Sequence, residues 1–274
     1  MAEWVTFDLD GTLADSPFER IVMPWLVASL EKSGIAQARQ RLSAEQLKRF
    51  AAGQRVAGFH WDDIAAALMA EVGCAMDEDI VAALKREPLA EQARAFPLYE
   101  DVAPALASLR ERGYLLGVVT NGHARYQQAL FALMGVEQQF ALMLGPDIVG
   151  CAKPDPAIFS WPPLAGQVRM HVGDLLTQDI RAAREAGIPA VLVVRAGQEQ
   201  TAKWAQALRS LAQVPARQRP SLALSNGWLD DMMRRESAYL GRPEPATGLT
   251  QGDVHVPDAM IFSFSELLAL LPPT

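Results

Sequence analysis

Cysteine is nearly missing from this sequence: the 274 residues hold two, Cys74 and Cys151, far apart and with no His or Cys neighbour at ligand spacing. That excludes a disulfide framework and a cysteine-based zinc site, and both side chains are expected to be reduced structural thiols. Long apolar runs are missing as well. No stretch reaches the ~18 residues that a bilayer crossing needs, and the chain enters a strand with no basic segment or cleavage site ahead of it, so a cytoplasmic location without membrane attachment is expected. Positive charge is short: 25 Lys and Arg stand against 32 Asp and Glu, a formal net charge of −7. Nucleic-acid backbones are held by basic patches, so this balance argues against a nucleic-acid partner, while a small anion held through a metal stays compatible with it. With 50% hydrophobic and 21% charged residues, the chain has the composition of a globular protein that buries a core.

The chemistry starts in the stretch 4–13, WVTFDLDGTL. Trp4-Val5-Thr6-Phe7 has the pattern of a short buried strand, and Gly11-Thr12 stops it, so Asp8 and Asp10 fall where strand gives way to loop. Strand alternation puts the two carboxylates on one side, where one can attack while the other moves a proton. Gly11 permits a tight turn that keeps both near one ligand. A lone pair of this kind is also what a solvated surface turn looks like.

Residues 15–91 follow a helical period, with Ile21, Trp25, Leu26, Ser29 and Leu30 on one face. Ser43 and Asp62-Asp63 are expected helix starts, and Gly34 and Gly73 expected stops, giving four or five helices. About 75 residues between the first two strands is too long for an ordinary crossover. Within this stretch Arg20, Arg55, His60 and Trp61 are candidates to face a ligand, against a commoner solvated or packed role.

From residue 97 an α/β rhythm returns, with a helix over 102–112, a strand over 114–119 and a helix over 123–134. Thr120-Asn121-Gly122 places a hydroxyl and backbone N–H groups at a helix start, an arrangement that suits phosphate and equally an ordinary N-cap with a turn glycine. His123 is expected on the surface. A strand near 141–144 leads to Lys153, whose following Pro154-Asp155-Pro156 stiffens the loop, so its ammonium is held where it can neutralise a carboxylate and a phosphoryl oxygen. Strands over 169–172 and 190–194 follow. The first delivers Asp174, with Asp179 five residues on, placed either to support a metal site or as a plain helix-start carboxylate.

Taken together and in this order, Asp8-Leu9-Asp10-Gly11-Thr12, Val119-Thr120-Asn121-Gly122, Lys153-Pro154-Asp155-Pro156 and Val172-Gly173-Asp174-Leu175-Leu176-Thr177-Gln178-Asp179 resemble the haloacid dehalogenase (HAD) superfamily. The resemblance covers roughly residues 3–195 and 257–271 and is closest to the phosphoglycolate-phosphatase-like branch with a helical cap. It implies an α/β fold, a doubly wound, Rossmann-like parallel sheet with an inserted α-helical cap. Residues 1–14 and 97–274 would form the core and 15–96 the cap. It further implies a magnesium-dependent phosphatase acting on a small phosphorylated metabolite as a monomer or homodimer. Its Mg2+ would sit on the carboxylates of Asp8 and Asp174 and the backbone carbonyl of Asp10, with Asp179 behind them orienting a water or Lys153. Phosphate would meet Thr120, Asn121, Gly122 and Lys153. In the inferred reaction Asp8 is the nucleophile and Asp10 the acid and base. A phosphomutase would keep all these residues, and a non-catalytic HAD-fold binding protein is the other alternative. Dehalogenases and phosphonatases of the superfamily lack an acid at the position of Asp10, which counts against both.

Two stretches depart from the pattern. Trp161-Pro162-Pro163 cuts short a helix, and about sixty residues, 197–256, stand between the fifth strand and a last strand and helix at 259–262 and 265–271. They are expected to form a helical insertion at the active end of the sheet, with helical stretches over 199–212 and around Trp228, Leu229, Met232, Met233, Tyr239 and Leu240. A Pro/Arg-rich joint over 214–220 and a loop over 241–252 complete it.

Overall fold

The computed structural model describes residues 3–164, 166–195, 202–239 and 248–273. Six short strands, β1 (Trp4–Phe7), β2 (Leu115–Val119), β3 (Leu142–Leu144), β4 (Val168–Gly173), β5 (Ala190–Val193) and β6 (Ala259–Ile261), form one parallel sheet. Their order is β3-β2-β1-β4-β5-β6. The chain therefore runs outward from β1 on one side, returns, and runs outward on the other. The crevice at the carboxyl ends of β1 and β4 is the switch point where open α/β sheets bind ligands.

The strands are apolar on both faces, as a covered parallel sheet requires. On one face Val5, Phe7, Leu116, Val118, Val172, Val191, Val193 and Ile261 pack against Leu106 and Leu109 of a helix over Val102–Glu111 and against Leu267 near the C-terminus. On the other, Val119, Ala190, Leu192, Val194 and Met260 pack against Leu176, Ile180, Leu211, Trp228 and Leu229.

Between β1 and the helix Val102–Glu111 lie five helices: α1 (Met23–Lys32), α2 (Ala38–Ala51), α3 (Trp61–Ala70), α4 (Ile80–Leu84) and α5 (Leu89–Ala95). They bury Leu26, Leu30, Leu42, Ile64, Leu68, Ile80 and Leu84 in a cluster of their own. The helix Val102–Glu111 is α6, and α7 (Ala124–Met134) lends Tyr126 and Leu130 to the cluster of the five. Helices α8 (Pro146–Val149) and α9 (Arg181–Glu185) complete the connections. Ser43 does not start a helix: α2 begins at Ala38 and Ser43 lies within it. Cys74 is exposed, so it is not a packing thiol.

Among its described residues the stretch 197–256 carries three helices where two were expected: α10 (Ala202–Ala212), α11 (Arg219–Ser225) and α12 (Trp228–Tyr239). The joint at 214–220 leads directly into α11, because Pro220 sits in the first turn, where its missing N–H costs nothing. Trp228, Leu229, Met232 and Met233 are buried against the sheet; Leu240, with 196–201 and 241–247, lies outside the described residues. The Ala216 carbonyl accepts the Met260 N–H at 3.0 Å, and Arg219 reaches the Met260 carbonyl at 2.9 Å. The insertion thus satisfies main-chain groups of the outer strand that would otherwise be an open edge. The short C-terminal helix, α13, spans Leu267–Leu270.

Candidate active site

Asp8 stands one residue beyond β1, and its N–H still donates to the Val172 carbonyl at 2.8 Å, so the ladder with β4 fixes its position. The chain then turns back on itself, with the Leu9 carbonyl accepting the N–H groups of Thr12 at 3.2 Å and Leu13 at 2.8 Å. Gly11 holds this turn at φ +80°, and a Cβ there would stand 2.3 Å from Asp174 Oδ2. The position demands glycine twice, for its backbone and for its closeness to Asp174. Arg195 at the end of β5 ties the turn down: its guanidinium donates to the Thr12 carbonyl and to both carboxylate oxygens of Asp101 at 2.8 and 2.9 Å.

Lys153 is buried, and its Nζ lies 2.5 Å from Asp8 Oδ1, 2.5 Å from Asp179 Oδ1 and 2.8 Å from the Val119 carbonyl. Asn121 holds the main chain of this lysine from both sides, accepting its N–H at 2.8 Å and donating to its carbonyl at 3.1 Å. Asp179 also accepts the Leu175 N–H at 3.0 Å, which closes the π-helical turn Leu176–Ile180 under Asp174. Oxygens of Asp8, Asp174 and Asp179 lie within 4.8 Å of one another.

Burial pushes the Asp8 carboxyl up to about 6, with Lys153 opposing it. Burial and the neighbouring Asp8 push Asp10 up to about 7. Burial, with Asp8 and other acids nearby, holds Asp174 well above the usual carboxylate range. For Asp179 burial is outweighed by Lys153 and His171, which hold it below the usual range. Lys153 is held above its ordinary value, since the two carboxylates outweigh its burial. Acids with adjoining positions and different environments are what general acid-base chemistry uses.

Asp8, Asp10, Thr120, Asn121, Gly122, Lys153 and Asp179 all line one cleft of about 420 Å³. Asp174 stands against Asp8 and Asp179. At the start of α7 the Asp147 carboxylate accepts the N–H groups of Ala124 at 2.7 Å and Arg125 at 3.1 Å. One expectation needs correction. His123 is buried rather than on the surface, its Nε2 3.0 Å from the Val56 carbonyl and its ring stacked on Tyr126. Of the candidates in the helical stretch, Trp61 lines the cleft; Arg20 pairs with Asp15, and His60 caps α3 by accepting the Asp63 N–H.

The sequence reading missed Glu236. From α12 its carboxylate accepts the N–H groups of Leu176 and Thr177, each at 2.8 Å, and it is buried. Burial outweighs these two bonds and lifts its pKa to about 7. It also missed the aromatic residues Phe18, Phe50 and Phe59, which line the same cleft as the carboxylates.

A family model for haloacid dehalogenase-like hydrolases matches residues 2–160. The chain belongs to that family. This HAD-like hydrolase is 35% identical over 113 residues to a phosphoserine phosphatase of Thermus thermophilus, a match taking in 40% of this chain and 45% of that protein. It thus spans less than half the length of that relative. A phosphoglycolate phosphatase of Pasteurella multocida is 30% identical over 204 residues, covering 68% of this chain and 83% of its own. Among solved structures, a HAD phosphatase from Thermococcus onnurineus superposes with a TM-score of 0.55 at 28% identity over 73% of this chain and 90% of its own. Among the described residues no helix is long and apolar enough to cross a membrane.

Proposed function

We propose that this hydrolase is a magnesium-dependent phosphatase of a small phosphate monoester, working through an aspartyl-phosphate on Asp8. One observation carries the reading: Asp8 and Asp10 share a cleft with an immobilised ammonium that binds Asp8 directly.

The residues fit a hard divalent cation. Asp10 Oδ1 and Asp174 Oδ1 are buried without a hydrogen-bond partner, and oxygens of Asp8, Asp174 and Asp179 lie within 4.8 Å of one another. All-oxygen donors of this kind suit magnesium. Asp8, Asp174 and the Asp10 carbonyl would hold the ion, while Asp179 is already engaged by Lys153 and the Leu175 N–H. When bound, the ion neutralises carboxylate and phosphoryl charge.

Asp8 then attacks phosphorus, forming an O–P bond as the bond to the leaving oxygen breaks. Asp10, whose proton affinity is raised by burial and by Asp8, hands its proton to that oxygen. Asp10 next takes a proton from the water that attacks the aspartyl-phosphate, releasing phosphate and restoring Asp8. Lys153 neutralises oxygen charge throughout, and Thr120 offers its hydroxyl to the phosphoryl group. Residues 15–96 serve as the cap in this scheme, and residues 1–14 with 97–274 as the catalytic core.

The test is phosphate release from a panel of small esters with and without magnesium, using Asp8→Asn as the blank. Release that needs the metal and vanishes in the variant is the expected result. Equal activity in both proteins, or isomerised ester without free phosphate, would defeat it.

A further inference from the structure

We infer that the cleft selects a phosphate ester whose leaving group is aromatic or otherwise apolar and carries no second negative charge; this rests on the phosphatase reading above. Much of the apolar lining of the cleft is built from rings. Phe18 stacks on Trp61 with centroids 6.3 Å apart, and Phe50 and Phe59 meet at 5.0 Å, with Met23 beside them in the lining. The wall is constructed: the Phe50 ring lies so close to Gly58 that a Cβ there would come within 2.2 Å of it. Gln46 fixes the same spot by donating to the Gly58 carbonyl at 3.0 Å.

Charge supplies the second half of the argument. Among the described residues lining the cleft, the cations are Lys153 and Arg39, against the acids Asp8, Asp10, Glu19 and Asp179. Lys153 is bound to Asp8 and Asp179, and Arg39 is paired with Glu19. A carboxylate on the leaving group would enter a space where acids outnumber cations and where Arg39 is already shared with Glu19, so it would be repelled more than a neutral group. A ring would gain apolar burial and ring contacts instead. The volume of about 420 Å³ leaves room for such a group beyond the phosphate itself.

The experiment compares 1-naphthyl phosphate with 2-phosphoglycolate, both with magnesium. Wild-type kcat/KM is expected to favour the naphthyl ester by about tenfold or more, and Trp61→Ala and Phe59→Ala to reduce that ratio mainly through KM. Binding of both esters to Asp8→Asn, measured by calorimetry, separates the two readings. Tighter naphthyl binding without turnover by wild type would sustain the pocket assignment and end the phosphatase reading. Turnover and binding that favour phosphoglycolate would overturn the inference and leave the phosphatase standing. If neither ester binds, the inference falls as well.

Discussion

Glu236 accepts the Thr177 N–H at 2.8 Å across 59 residues of sequence, so an acid from the insertion closes the turn beneath Asp174. The same carboxylate takes the Leu176 N–H, and removing it would leave two buried donors unpaired at a cost of about 1–3 kcal/mol each. Glu236→Leu is expected to weaken magnesium binding by roughly 10- to 100-fold, as loss of an outer support of a metal ligand does. Glu236→Gln, which keeps one acceptor oxygen, should fall between. Calorimetric titration of the metal decides it, and an unchanged affinity in Glu236→Leu would reduce the residue to a packing role.

The closeness of Gly11 to Asp174 yields a second expectation. Gly11→Ala carries the backbone cost of a left-handed residue, ~1–2 kcal/mol, and also drives a methyl into the Asp174 carboxylate. Gly135 is the comparator: it has φ +69° and nothing within 4 Å of its added Cβ. Both alanine variants should lose thermal stability, and only Gly11→Ala should lose magnesium affinity. Matching metal titrations for the two would show that the contact with Asp174 does not matter.

For Asp10→Asn, turnover of alkyl phosphates should drop by roughly 100- to 10,000-fold. A leaving group that needs no proton, such as p-nitrophenolate, should still depart rapidly, since only the second half-reaction then lacks its base. A burst equal to the enzyme concentration followed by slow turnover is therefore expected in rapid mixing. Its absence, with both phases slowed alike, would place Asp10 in a structural role.

His123 offers a pH-dependent test away from the carboxylates. Burial holds its pKa below 6.5, so the unfolded chain takes up a proton more readily than the folded one. Its contribution is complete above pH 6.5 and is lost as pH falls toward the folded value. His123→Gln keeps a donor for the Val56 carbonyl but cannot titrate. The melting advantage of wild type over this variant should be largest near pH 7.5 and shrink toward pH 5.5. A constant difference across that range would rule out the proton as its source.

What could be foreseen from the residues follows the physics of strand ends. Asp8, Thr120 and Asp174 each follow an apolar strand and precede a turn or helix start, and parallel strands deliver such positions to one edge, so their meeting was legible; Lys153 lies nine residues past β3, beyond α8, and was legible through the stiff Pro154-Asp155-Pro156 that follows it. Beyond its place beside the expected phosphate site, Asn121 has a second part that was not foreseen: its side chain clamps the main chain of Lys153. That pairing depends on which loops become neighbours, and local pattern does not encode it. Glu236 had no signal because a single acid on an amphipathic helix looks solvated until its partner, Leu176, is known. His123 followed a glycine in a polar stretch, and its burial comes from Val56 and Tyr126, contacts made only after the helices dock. Ser43 misled because a good capping residue also sits within helices when neighbouring packing decides the boundary.

Helix α7 begins two residues past Gly122, and four residues past Gly122 its Tyr126 is locked to α3. The Tyr126 hydroxyl donates to Asp62 Oδ2 at 3.0 Å and accepts the Asp62 N–H at 3.2 Å. A four-residue stretch therefore joins the loop carrying Thr120, Asn121 and Gly122 to the start of α3, where Trp61 lines the same cleft, so these two parts of the lining share one mechanical joint.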